Sequence, residues 1–168
     1  GTLLPVTLPF RVTDALCRML EHYHPIWVNT HFNHPKELTP EAAEACDRLL
    51  RAGIPVGNQS VLLRGINDDP ETMKALCEGL VRMRVRPYYC YQAQLLEGTE
   101  HFRVPVERGV EIFRALRGRT SGFAIPTYVL DTPYGKVPLG YPYLKDRDGD
   151  HVVVEAWDGR IWRELNPA

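Results

Sequence analysis

The hydrophobic residues of this 168-residue chain alternate between a helical and a strand period, and that alternation limits its fold more than any other feature. Val12, Ala15, Leu16, Met19 and Leu20 follow the i, i+3, i+4, i+7, i+8 spacing, which predicts an amphipathic helix over about 13–23. The bulky run 25–32 (PIWVNTHF) then predicts a strand. Thr39-Pro40-Glu41 combines an N-cap, a proline at the first helical position and an acid in the first turn. Behind it Ala42, Ala45, Cys46, Leu49 and Leu50 form an apolar stripe that Gly53 stops. The cycle repeats with a strand at 54–63, a helix opened by Asp69-Pro70-Glu71, a strand at 86–93, a helix at 105–117 and a strand at 126–131. Strands that begin near 26, 55, 86 and 127 with helices between them form a succession of right-handed βα units, hence a parallel sheet. Beyond Asp131 the pattern turns to short β-prone pieces, 151–154 and 160–162, with the hairpin signal Asp158-Gly159 between them. The chain is therefore expected to divide into βα units over 1–132 and a β-rich extension over 133–168.

Charge excludes one class of function. Twenty Lys plus Arg against 21 Asp plus Glu leave a net charge of -1, too little cation excess for bulk binding of nucleic acid. No apolar run is long enough to span a membrane and no secretory signal is visible, so a cytoplasmic protein is expected. Cys17, Cys46, Cys77 and Cys90 are separated by 29, 31 and 13 positions, which match no close-spaced zinc or iron–sulfur ligand set. Three of them fall on apolar helix faces and read as reduced structural thiols.

In parallel α/β folds chemistry collects at the carboxyl ends of the strands. Those ends here carry Thr30 to His34, then Asn58-Gln59-Ser60 leading to Arg64 and Asn67-Asp68-Asp69, then Tyr88, Tyr91, Gln92 and Gln94, and finally Asp131 followed by Lys136. Polar βα loops are common, so the pattern alone leaves a site and an ordinary surface equally open. His31 and His34, with His101 and Asp131, resemble a spaced metal set, although hydrogen-bonded loop histidines are the commoner arrangement. Strict alternation puts Tyr88 and Tyr91 on opposite faces, so a bulge or strand end is required if both serve one site. Lys136 is expected in a tight turn just past a strand, where a desolvated amine can form a Schiff base; a solvated turn lysine is the plainer reading of the spacing. Arg64, Arg84 and Arg86 suit an anion but read by default as surface arginines.

The strings 24–35 (HPIWVNTHFNHP), 55–68 (PVGNQSVLLRGIND), 84–92 (RVRPYYCYQ), 100–103 (EHFR) and 116–122 (LRGRTSG) closely resemble the lysine 2,3-aminomutase family. The resemblance runs from about Pro5 to about Leu165. It implies a radical S-adenosylmethionine enzyme that also carries pyridoxal phosphate and a 4Fe-4S cluster. In such an enzyme a 5'-deoxyadenosyl radical takes a hydrogen from an amino acid and the amino group moves from C2 to C3. By the same resemblance Lys136 binds pyridoxal phosphate, Tyr88 and Tyr91 line its site, and His31 and Gln59 lie beside S-adenosylmethionine, with no metal ligand among them. The family's glycine-rich run before the lysine is shortened here to Pro133-Tyr134-Gly135.

Asp131 matches one of two aspartates that hold a lysine ε-ammonium in the family, and Gln94 stands in place of the other. L-lysine is thus the expected substrate, with glutamate or arginine as alternatives. The cluster motif C-x3-C-x2-C is absent, so the chain is expected to be a carboxyl-terminal portion of a partial TIM-type βα barrel, inactive alone, from an enzyme that forms a homo-oligomer. The competing expectations are a non-catalytic βα domain that lost the cluster half and, last, a histidine-based metal hydrolase.

Overall fold

The two helices opened by Thr39-Pro40 and Asp69-Pro70 begin where their caps were expected, because the caps satisfy amides that the helix itself cannot. In the computed structural model, which describes residues 1–166, the chain opens with a short helix α1 (Leu4–Thr7) and α2 (Asp14–Glu21). The Thr13 hydroxyl accepts from the Leu16 amide at 3.2 Å to cap α2. Strand β1 (Val28–Thr30) leads to α3 (Pro40–Arg51), capped by Thr39, and β2 (Val56–Leu62) leads to α4 (Pro70–Arg82), capped by Asp69. Gly53 closes α3 at φ +72, a conformation that L side chains rarely adopt. Strand β3 (Arg86–Gln92), helix α5 (Val106–Leu116), strand β4 (Thr127–Thr132) and strand β5 (Gly135–Leu139) complete the first unit.

These strands form one sheet in the order β1-β2-β3-β4-β5, with β1 to β4 parallel and β5 antiparallel on β4. A second, antiparallel sheet contains β6 (Leu144–Asp148), β7 (His151–Glu155) and β8 (Ile161–Leu165). The expected division after 132 falls inside the β4–β5 hairpin, and the last two residues of the expected extension lie outside the described residues. No helix among the described residues is long and apolar enough to cross a membrane.

The core lies between one face of the first sheet and its helices. Ala42, Cys46 and Leu49 of α3, Met73, Leu76 and Leu80 of α4, and Ile112 and Leu116 of α5 close over Val56, Leu62, Cys90 and Tyr128. Along β2 the residues alternate between buried (Val56, Asn58, Ser60, Leu62) and half-buried (Gly57, Gln59, Val61), so the opposite face is left partly open. All four cysteines are buried and free. Burial pushes the Cys46, Cys77 and Cys90 thiols up to about 12. At pH 8 these three should alkylate roughly 10³-fold more slowly than an exposed thiol, because only the thiolate reacts. Iodoacetamide labelling followed by peptide mapping, with and without denaturant, checks this.

The strand expected over 25–32 contracts to three residues, and one side chain accounts for its early end. Asn58, almost fully buried, accepts from the Phe32 amide at 2.7 Å and donates to the Phe32 carbonyl at 3.0 Å. A side chain thereby replaces the backbone ladder and turns the chain out of the sheet. Strands β5 and β6 were not anticipated. Pro138 reads against a strand but is tolerated on an edge, and β6 (LKDRD) is held by its pairing with the valines of β7.

Candidate functional site

The β4–β5 hairpin sets the centre of the site. Thr132 tightens its turn by donating its hydroxyl to the Gly135 carbonyl at 2.7 Å and accepting from the Tyr134 amide at 3.2 Å. Gly135 adopts φ +117, open only to glycine without strain. Lys136 is therefore not in the turn, as expected, but is the second residue of β5, directly across from Asp131. Cross-strand partners project to the same side of the sheet. The Lys136 ammonium lies 6.0 Å from the centre of the Tyr91 ring.

Beside this pair is a 410 Å³ cavity at the carboxyl ends of β2, β3 and β4. Leu63, Leu96 and Phe102 give it apolar walls, and Tyr91, Gln94 and Asp131 supply its polar groups. The Gln94 amide nitrogen donates to an Asp131 carboxylate oxygen at 3.4 Å. Partial burial and the Asp131 charge both push the Tyr91 phenol above its ordinary range, so it stays protonated at neutral pH. Lys136, Tyr91, Gln94 and Asp131 are thus brought together.

Tyr88 is placed elsewhere. The β2–β3 register shifts at Asn58/Gln59, so that Gln59 pairs with Tyr89 and Tyr88 occupies the bulge. Tyr88 is 42% exposed and borders a second 410 Å³ hollow at the other end of the strands, with Trp27, Asn29 and Arg86. It is linked to Tyr91 only through Tyr89, whose ring centre is 3.9 Å from that of Tyr88 and 5.8 Å from that of Tyr91.

His31 and Gln59 do meet. The His31 Nδ1 lies 3.1 Å from the Gln59 carbonyl, which can only accept, so Nδ1 is the donor in this bond. The metal-like set does not assemble. His34 Nδ1 accepts from the Lys36 amide at 3.1 Å in a cap completed by Glu37, and His101 packs on Phe102 at 4.0 Å. Among the described residues no group of three or more His, Cys, Asp or Glu is placed to hold a metal ion.

Several polar residues at the strand ends support the site instead of facing it. Asn67, fully buried, donates to the Asn33 and Val61 carbonyls at 2.8 and 2.9 Å and accepts from the Leu63 amide at 2.7 Å. Gln92 borders the cavity but spends its side-chain amide on Val104 and Tyr128, on the helix side of β3. The sequence reading missed Leu96, Thr99 and Phe102 as cavity walls; the only signal was Phe102 within the 100–103 string.

A parallel βα sheet whose carboxyl ends frame a mostly apolar cavity with a few polar groups is an α/β architecture of the kind that takes ligands at its strand ends. Its fold is shared with a radical SAM methyltransferase from Sphaerobacter thermophilus, at TM-score 0.55 and 20% identity over 74% of this chain and 38% of that one. Residues 113–168 match the family model described as lysine-2,3-aminomutase. The chain is 54% identical to L-lysine 2,3-aminomutase of Fusobacterium nucleatum over 99% of its own length and 40% of the relative's. It is 52% identical to that of Bacillus subtilis, over 96% and 35%. Glutamate 2,3-aminomutase of Clostridioides difficile is 49% identical over 96% and 39%. The chain belongs to the lysine 2,3-aminomutase family, as its carboxyl-terminal portion, and spans about 40% of the length of the curated relatives it matches.

Proposed function

We propose that this chain forms the amino-acid-binding and pyridoxal phosphate-binding end of a radical S-adenosylmethionine aminomutase that moves the amino group of L-lysine from C2 to C3. The observation that carries the reading is the convergence of Asp131, Gln94 and Tyr91 on one cavity, with Lys136 paired across from Asp131 and 6.0 Å from the Tyr91 ring centre. The sheet is then one part of a barrel completed by the rest of the enzyme.

The residues suit two of the three expected groups. Lys136 presents a primary amine from a paired strand, beside the flat ring of Tyr91, and so can hold pyridoxal phosphate. His31, tied to the Gln59 carbonyl through Nδ1 with Nε2 outside that bond, and the half-buried Gln59 on the partly open face can receive S-adenosylmethionine. The cluster is not served: Cys17, Cys46, Cys77 and Cys90 are buried and dispersed over α2, α3, α4 and β3. Pyridoxal phosphate would supply delocalisation of an unpaired electron, and S-adenosylmethionine the hydrogen-abstracting group.

This chain's own residues orient and select. The β4–β5 pairing holds Lys136 in one position, and Leu63, Leu96 and Phe102 keep water from the aliphatic part of the amino acid. Asp131 offers a carboxylate to a cationic side-chain end, and the Gln94 amide adds a neutral partner without a second charge. A glutamate side chain would instead bring its carboxylate against Asp131. The glutamate-acting relative is nearly as similar in sequence as the lysine-acting ones, so it is Asp131 that favours lysine.

The test is turnover by the complete polypeptide, loaded with pyridoxal phosphate, S-adenosylmethionine and the iron–sulfur cluster, on lysine, glutamate and arginine. Lysine should be preferred, and Asp131→Asn should lower kcat/KM for lysine about 10- to 100-fold, the worth of a hydrogen bond to a charged group. Equal use of the three amino acids, or an Asp131→Asn variant with unchanged kcat/KM, would overturn the reading.

A further inference from the structure

The pleat of β3 that turns Tyr91 to the cavity turns the next residue, Gln92, to the helix side, where it is 1% exposed. A primary amide is buried at such a place only when both of its ends are bonded. The Gln92 amide nitrogen donates to the Val104 carbonyl at 2.7 Å, and its oxygen accepts from the Tyr128 phenol. Tyr128, on β4, is itself 2% exposed, stacked on Phe113 with ring centres 5.1 Å apart and pressed against Gly109 of α5. One side chain thus joins β3 and β4 to residue 104.

Between the two ends of that link runs the segment 93–103, which supplies Gln94, Leu96, Thr99 and Phe102 to the cavity. Its outer part has little burial of its own: Leu95 and Leu96 are 67% and 56% exposed, and Gly98 turns at φ +82. Apart from the long Gln94–Asp131 bond and the buried Ala93 at its start, the segment is held at its far end, where the Arg64 amide donates to the Phe102 carbonyl at 2.8 Å and Gln92 fastens Val104. We infer that Gln92 and Tyr128 are positioning residues, which set amino-acid affinity by fastening segment 93–103 over the cavity. The inference rests on the aminomutase reading for its ligand, but the fastening itself does not.

Tyr128→Phe in the complete polypeptide leaves the Gln92 oxygen without its donor and loosens the link. Hydrogen exchange of the 93–103 amides should rise roughly 5- to 30-fold, and KM for lysine should rise by a similar factor. The kcat and the KM for S-adenosylmethionine should stay within about twofold of wild type, a split that general destabilisation does not produce. If Tyr128→Phe fails to fold, Gln92→Met serves the same test, since a thioether of similar length has no donor for Val104 and only a weak acceptor for Tyr128. Unchanged exchange over 93–103 overturns the inference whatever the activity. Faster exchange with an unmoved lysine KM overturns the affinity role. A wild-type enzyme that exchanges as described but does not act on lysine overturns the aminomutase reading instead.

Discussion

Lys136→Ala in the complete enzyme is expected to lower turnover by about 10³-fold or more, and Lys136→Arg to do the same. Arginine keeps the positive charge and much of the reach, but its guanidinium does not condense with an aldehyde at neutral pH. Equal loss in both variants would therefore assign the role to the amine as a nucleophile, whereas recovery in Lys136→Arg would assign it to charge. Borohydride reduction of the wild type with pyridoxal phosphate, followed by peptide mapping, should place the reduced adduct on the peptide containing Lys136. A labelled peptide without Lys136 would sink the assignment. The β4–β5 register makes the test clean: a substitution at an exposed edge position across from Asp131 removes nothing from the core, so folding should survive it.

The second large effect concerns stability and runs against helix propensity. Gly109 lies within α5, where exchanging glycine for alanine normally stabilises by about 1 kcal/mol. Here a Cβ would meet the Tyr128 ring, which is pinned between Phe113 and the Gln92 bond. Overpacking of that kind costs about 1–3 kcal/mol for a small group, enough to reverse the sign. Gly109→Ala should therefore destabilise slightly, and Gly109→Val, with two further carbons and a β-branch, by about 3 kcal/mol or more. For a chain of this size that is a fall in Tm of roughly 6–12 °C, measurable by calorimetry. An unchanged or raised Tm for Gly109→Val would show that Tyr128 yields, and that the α5–β4 contact is looser than it is drawn.

Much of the fold was legible because local signals and packing agree. Thr39-Pro40 and Asp69-Pro70 mark helix starts to the residue, since a cap is a local bond that needs no tertiary partner. The edges of the sheet were hidden for the opposite reason. Strand β5 contains a proline and β6 is mostly charged, and each exists through its neighbour's hydrogen bonds. At the site, Lys136 and Asp131 were singled out by motif, but their direct opposition follows from where a two-residue turn falls, and the reading had placed Lys136 in that turn. Asn67 and Gln92 look like site residues in a string of polar letters. Only the third dimension shows that their amides are spent on the carbonyls of neighbouring loops.

The hairpin that pairs Asp131 with Lys136 also acts as a ruler. Opposed residues of an antiparallel pair hold their Cα atoms about 4.5–5.5 Å apart, whatever the rest of the protein does. The spacing between the two points from which the amine and the acid spring is thus a property of backbone geometry, and only the side chains themselves can adjust to a longer or shorter amino acid. Descendants that accept a new side-chain length must change what stands at the acid's position or remould the segment that starts at Ala93, while the two hairpin strands stay as they are.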